Sequence, residues 1–103
     1  MYQLILCTCP SKIIASEIAN YLVTNKLAAC VNILPGIESI YCWQEKVESS
    51  NEVQLLIKTQ AEKFQQLAKA INKLHPYDVP EIIALNIQQG DKHYLNWITE
   101  SLK

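Results

Sequence analysis

Apolar residues along this chain follow two periods in turn, and the switches between them mark out the elements. Tyr2 to Cys9 (YQLILCTC) alternates: Tyr2, Leu4 and Leu6 point one way, and Gln3, Ile5, Cys7 and Cys9 the other. Both sets are largely apolar, which predicts a central strand covered on both faces. Ile14, Ile18 and Leu22 then recur every fourth residue, with Ala15 and Ala19 beside them. That is the apolar stripe of a helix. Ser11 is its expected N-cap and Asn25 its expected left-handed stop. Ala28 to Ile33 reads as the next strand. Pro35-Gly36 interrupts it with a bend or bulge, and it resumes from Ile37 to Trp43. A tight turn at Gln44-Glu45 leads into a return strand from Lys46 to Thr59, with a bulge or frayed stretch expected at Ser49-Ser50-Asn51. Thr59-Gln60-Ala61-Glu62 has the form of a capping box. Phe64, Leu67, Ala68, Ile71 and Leu74 follow at helical spacing, and His75-Pro76 stops that helix. Glu81 to Ile87 is the last predicted strand, and Gly90-Asp91 opens a final helix carrying Tyr94, Leu95, Trp97, Ile98 and Leu102.

The order β-α-β-β-α-β with a C-terminal helix predicts an α+β fold of the ferredoxin-like, split-βαβ kind, with one antiparallel sheet in a single domain spanning residues 1–103. Right-handed crossovers place both crossover helices on one face of that sheet. The other face is then bare, although the first strand is apolar on both sides. The two runs that meet near Trp43 also exceed the usual strand length of about 5–6 residues. An exposed apolar face and a long unpaired edge both call for a partner surface. Packing of sheets and pairing of hairpins between copies answers both needs. The alternative is a monomer whose final helix folds over the bare face.

Composition agrees with assembly. Half of the 103 residues are hydrophobic and 18% are charged, below the roughly 25% of ordinary soluble proteins. No apolar run reaches the roughly 20 residues of a membrane span. A net charge of −1 offers no electrostatic footprint for nucleic acid. The N-terminus enters a strand directly, so no signal peptide is expected. Cys7, Cys9, Cys30 and Cys42 lie in apolar, strand-like runs, which suits free thiols in a reducing, cytoplasmic setting better than a secreted disulfide scaffold.

Several segments together resemble the CutA divalent-ion tolerance family. They are Leu27-Ala28-Ala29-Cys30-Val31-Asn32, Pro35-Gly36, Tyr41-Cys42-Trp43-Gln44, Glu52 to Thr59, His75-Pro76-Tyr77-Asp78-Val79-Pro80-Glu81 and Tyr94-Leu95-Asn96-Trp97. The match runs over nearly the whole chain, in order and at matching spacing. The resemblance implies a homotrimer related in shape to the PII signalling proteins, with a cytosolic role tied to copper and other divalent metals and with no settled enzymatic activity. It also implies a metal site: Cys7 matches the family's cysteine late in the first strand, and His75 matches the second histidine of a His-His-Pro-Tyr stretch. Leu74 stands where the first histidine would be, and Glu45 stands where the family usually has glycine at the hairpin turn.

Cys9 and Glu81 are the further candidate ligands beside Cys7 and His75. Thiolate with imidazole suits copper or zinc. Residues two apart on a strand are roughly 7 Å apart, long for two thiolates to share one ion without bending, so the alternative is that both thiols simply pack in the core. Lys58, Tyr77, Glu81 and Trp43 are candidates to line a cleft between subunits for a small anion or metabolite; Lys58 and Glu81 alternatively form a structural ion pair. His93, in the first turn of the last helix, reads as a neutral surface residue. No nucleophile elbow, phosphate loop, HExxH or Cys-x-x-Cys motif is present, so an enzyme is not expected, and only a site assembled between subunits would make it one. The functional expectations are a metal-tolerance trimer binding copper or a similar divalent ion, and, as the alternative, a PII-like signalling or scaffold trimer.

Overall fold

The structure is a computed structural model and describes residues 1–103. Its elements are β1 (Tyr2–Cys9), α1 (Lys12–Thr24), β2 (Cys30–Trp43), β3 (Lys46–Gln60), α2 (Phe64–Leu74), β4 (Ile83–Asn86) and α3 (Lys92–Ser101). The four strands form one sheet in the order β2-β3-β1-β4, with every neighbouring pair antiparallel. This is the expected split-βαβ arrangement.

The two faces of the sheet differ as the alternation predicts. Ile5, Cys7 and Cys9 of β1 and Val53, Leu55 and Ile57 of β3 are buried, in one cluster with Ala15, Ile18 and Leu22 of α1 and Leu67 and Ile71 of α2. Both crossover helices therefore cover the same face. On the other face Leu4 and Leu6 are half-buried, while Ile83 and Leu85 of β4 lie open. The final helix does not close that face. Ile98 and Leu102 pack with Ala29, Tyr2 and Leu95 at one corner, where Thr99 Oγ1 meets the Tyr2 hydroxyl and accepts from Gln60 Nε2.

Four local expectations are corrected. The left-handed residue after α1 is Lys26 (φ 61°), not Asn25. Lys26 N donates to Val23 O and Leu27 N to Leu22 O, the paired bonds of a Schellman cap, so the reversal falls one residue later than the Asn-for-αL preference suggests. Thr59 does not cap α2. It is fully buried, and its hydroxyl donates to Leu27 O at 2.7 Å; a buried carbonyl in the approach to β2 has the stronger claim on that donor. A 3-10 turn at Ala61–Lys63 precedes α2 instead. Ser49, Ser50 and Asn51 pair in register with Ile40, Ser39 and Glu38, without a bulge. β4 is shorter than expected, because pairing begins at Ile83 opposite Leu6 rather than at Glu81.

The bulge, the strand lengths and the turn of the hairpin otherwise follow expectation. The only register shift between β2 and β3 lies between Leu34 and Ile37, at Pro35-Gly36, where Gly36 has φ 77°. Strands of 14 and 15 residues make the hairpin. At about 3.3 Å per residue such a strand runs about 46 Å, which accounts for the molecule's longest extent of 45 Å. β1 pairs with β3 only as far as Val53, so Lys46–Glu52 has only β2 for a neighbour. Ile40, Tyr41, Trp43 and Val47 on this projecting part are all exposed.

At the tip, Gln44 (φ 50°) and Glu45 (φ 67°) are both left-handed, the geometry of a two-residue type I′ turn. Glu45, where the resemblance places glycine, thus occupies a conformation that glycine adopts more readily. A side chain in that region costs about 1 kcal/mol or more. Glu45→Gly is expected to stabilise the hairpin by about 1 kcal/mol, read as slower amide exchange at Val47 and Glu48; faster exchange there would refute it.

Candidate metal centre

β1 carries Cys7 and Cys9 to the helix-covered face, where both side chains are fully buried. α2 ends at Leu74, and Pro76 turns the chain so that His75, extended at ψ 137°, folds back on the end of β1. The two sulfurs and an imidazole nitrogen thereby come within 4.8 Å of one another, with all three residues buried. Cys7, Cys9 and His75 were each legible in the sequence as candidates, and the structure brings them together. The strand spacing of the two cysteines does not keep their sulfurs apart, because the side chains converge.

His75 is held at both nitrogens. Nε2 lies 2.7 Å from Thr8 O, and Nδ1 accepts from Tyr77 N at 3.2 Å. A backbone N–H can only donate, so Nδ1 is the bare nitrogen and the ring proton sits on Nε2, donated to Thr8 O. β4 pairs with β1 only as far as Leu6, and the histidine serves the Thr8 carbonyl beyond that point. The Tyr77 ring lies 4.7 Å from the imidazole, tilted by 51°, and its hydroxyl donates to Glu52 Oε2 at 2.7 Å.

Glu52 was missed by the sequence reading. It is nearly buried, beside Val53, which pairs with Cys9. A charged residue opening an apolar alternation reads as the solvent end of a strand; only the fold supplies the Tyr77 hydroxyl that makes it a buried hydrogen-bonded carboxylate. Burial first, and the Glu52 carboxylate next, push the Tyr77 hydroxyl well above its ordinary range. The thiols are set by one another. The neighbouring Cys9 sulfur, and then burial, push Cys7 up, while the same neighbour pulls Cys9 down. Cys9 is thus the sulfur that ionises more readily.

The remaining candidates are dispersed within one chain. Glu81 is exposed and lies outside the group of converging donors, and its charge helps to push the Cys7 thiol up. Lys58 faces the bare side of the sheet, opposite Leu4 and Cys30, and donates to Asn32 Oδ1 rather than pairing with Glu81. Trp43 stands at the hairpin tip, the end of the hairpin remote from Lys58. Tyr94 and Trp97 stack at 5.6 Å on α3, half exposed, and His93 is exposed. Lys58, Trp43, Tyr77 and Glu81 do not share a cleft in the single chain; a cleft containing them requires a second copy.

Fold and cluster together define the class: a small split-βαβ protein with two thiols and an imidazole buried at one end of its sheet. The pattern of the family described as CutA1 divalent ion tolerance protein matches residues 3–101. The chain belongs to that family. It is similar to the divalent-cation tolerance protein CutA of Thermus thermophilus, 48% identical over 101 residues and 98% of each chain. It is similar also to the chloroplastic protein CutA of Arabidopsis thaliana, 47% identical over 93% of this chain and 53% of that one. Among solved structures, the periplasmic divalent cation tolerance protein CutA of Archaeoglobus fulgidus superposes with a TM-score of 0.97 at 40% identity, covering 100% of both chains. No helix is long and apolar enough to cross a membrane.

Proposed function

We infer that this protein contributes to tolerance of metal ions by binding copper, or a similar divalent ion, at the Cys7–Cys9–His75 cluster, and that it works as a cytoplasmic homotrimer without a catalytic step. The observation that carries the reading is the convergence of two thiols and an imidazole within 4.8 Å in a buried setting. That donor set suits copper and zinc and does not suit magnesium or calcium, which take oxygen ligands. Cys7 is the central ligand, with His75 and Cys9 beside it and Glu81 contributing charge from outside the group. Four free cysteines accord with a reducing compartment. Self-association is supported by the open Ile83 and Leu85 on the bare face and by the exposed hairpin end, and three copies is the number the family resemblance implies.

Titration with copper and zinc, on the parent chain and on Cys7→Ser and His75→Ala, tests the reading. One ion per chain and a loss of binding in Cys7→Ser are expected; undiminished binding in both variants overturns it. Sedimentation equilibrium is expected to give three times the 11.7 kDa chain mass, and a monomer at micromolar concentration would remove the assembly from the proposal.

A second reading, a PII-like trimer that holds a small ligand or partner between subunits, draws on Lys58. It lies on the bare face, where a neighbouring copy would pack, and Trp43 at the hairpin tip reaches that region only from another subunit. Ligand-dependent gains in melting temperature across a metabolite panel would favour it, since a ligand held only by the native state stabilises that state.

A further inference from the structure

The donors in the buried cluster are not equivalent. His75 has no uncommitted nitrogen: Nε2 serves Thr8 O and Nδ1 takes the Tyr77 amide. A metal on either nitrogen would undo one of those bonds and leave a backbone group near the core unpaired, at a cost of about 1–3 kcal/mol. The sulfurs have no comparable commitment. Apart from each other, their single polar contact is a weak one from Cys7 to the adjacent Thr8 O at 3.8 Å. Leu74 packs against the core and supplies no donor.

The spacing fits two sulfurs and one ion. Metal–thiolate bonds of about 2.3 Å laid end to end span about 4.6 Å, within the 4.8 Å that bounds the separation of the sulfurs. Zinc in a closed site takes four ligands in a tetrahedron. Here the groups that would complete it are His75, already bonded at both nitrogens, Glu52, which accepts from Tyr77, and Glu81, which is exposed. Soft thiolates without further ligands select Cu(I).

We propose that Cys7 and Cys9 form a two-thiolate site for a soft monovalent cation, Cu(I) foremost, with His75 as a positioning residue that secures the end of β1 rather than as a ligand. The proposal rests on the metal-binding reading above; it narrows the ion to reduced copper and takes His75 out of the ligand set. Copper enters already reduced. Each thiol releases its proton as its sulfur binds, and no electron is transferred.

The test is an anaerobic titration of Cu(I) in competition with a colorimetric Cu(I) chelator, with Zn(II) run in parallel, on the parent chain, Cys9→Ala and His75→Gln. Copper-edge X-ray absorption of the parent chain accompanies it. The expected spectrum shows two sulfur neighbours and no imidazole. Cys9→Ala should weaken Cu(I) binding by more than the roughly 10–100-fold that changes outside the ligand shell produce. His75→Gln keeps an N–H for Thr8 O and should stay within about tenfold of the parent, the smaller end of that range. Zn(II) should bind more weakly than Cu(I). One sulfur with imidazole in the spectrum, or dependence on His75 without dependence on Cys9, overturns the two-thiolate site and leaves the broader metal reading standing. Failure of the parent chain to bind any ion removes both. The parent spectrum decides between the ligand sets even if a variant does not fold.

Discussion

Excising the projecting half of the hairpin is expected to leave the domain folded and to abolish the self-association proposed for it. Ile37 pairs with Glu52, so Glu38–Asn51 can be replaced by Asn-Gly, which closes the shortened strands through a favourable type I′ turn. The sheet body survives because β1 pairs with β3 only from Val53 to Gln60, and the buried cluster contains no residue between Glu38 and Asn51. What goes is Ile40, Tyr41, Trp43 and Val47, with Trp43 59% and Val47 79% exposed in the single chain. Hiding a large apolar side chain is worth about 1.5–3 kcal/mol, and each 1.4 kcal/mol is about tenfold in affinity. Even after the costs of association, the shortened chain should associate at least about a thousandfold more weakly. Sedimentation of both chains over a range of concentrations reads this directly. A shortened chain that keeps the parent's mass at micromolar concentration would show that the bare sheet face, not the hairpin, holds the copies together.

Ile57→Ala should cause a large loss of stability. Ile57 is fully buried in β3, a central strand, with Ile5 and Val31 directly beside it on the neighbouring strands. Helices α1 and α2 close the same face from above. A strand flanked on both sides cannot collapse into the space left by the missing carbons, so the cavity penalty adds to the lost transfer energy. The expected cost is about 2–5 kcal/mol. Urea unfolding measures it as a lower midpoint at unchanged slope, at several protein concentrations because the proposed assembly would add stability by mass action. A loss under about 1 kcal/mol would mean that the core repacks, contrary to the fit seen here.

Neither expectation could have been argued from periodicity alone, although periodicity located both the hairpin and Ile57. The alternation of Val53, Leu55 and Ile57 against Gln54, Leu56 and Lys58 is a local property of a pleated strand, and it placed the core face correctly. The bulge at Pro35-Gly36 was legible because those residues restrict or free the backbone whatever surrounds them. The capping box at Thr59 failed because a hydroxyl bonds the neediest acceptor within reach, and Leu27 O, distant in sequence, was that acceptor. Asn25 failed as a left-handed stop because the cap's position is set by which carbonyls need closing, and the Schellman bonds form at Lys26 and Leu27.

The metal centre divides in the same way. Thiol and imidazole chemistry belongs to the residue and marked Cys9 as a donor, while the family resemblance singled out Cys7 and His75 from the other cysteines and histidine. Their convergence depends on α2 ending where it does and on the loop after His75 turning back over β1. Glu52 depends on the same turn, since without the Tyr77 hydroxyl it is an ordinary strand-end carboxylate.

The amino-acid sequence by itself determined the order of elements, the sheet's covered and bare faces, the long hairpin and the donor chemistry, because period, turn residues and side-chain type are local. Only the tertiary structure decided that the two sulfurs meet, that His75 has both nitrogens occupied, that Glu52 is buried under Tyr77, and that Lys58 faces away from the thiols. Those are relations between residues far apart in the chain, and they are set by register and by the path of one loop, which no local pattern records.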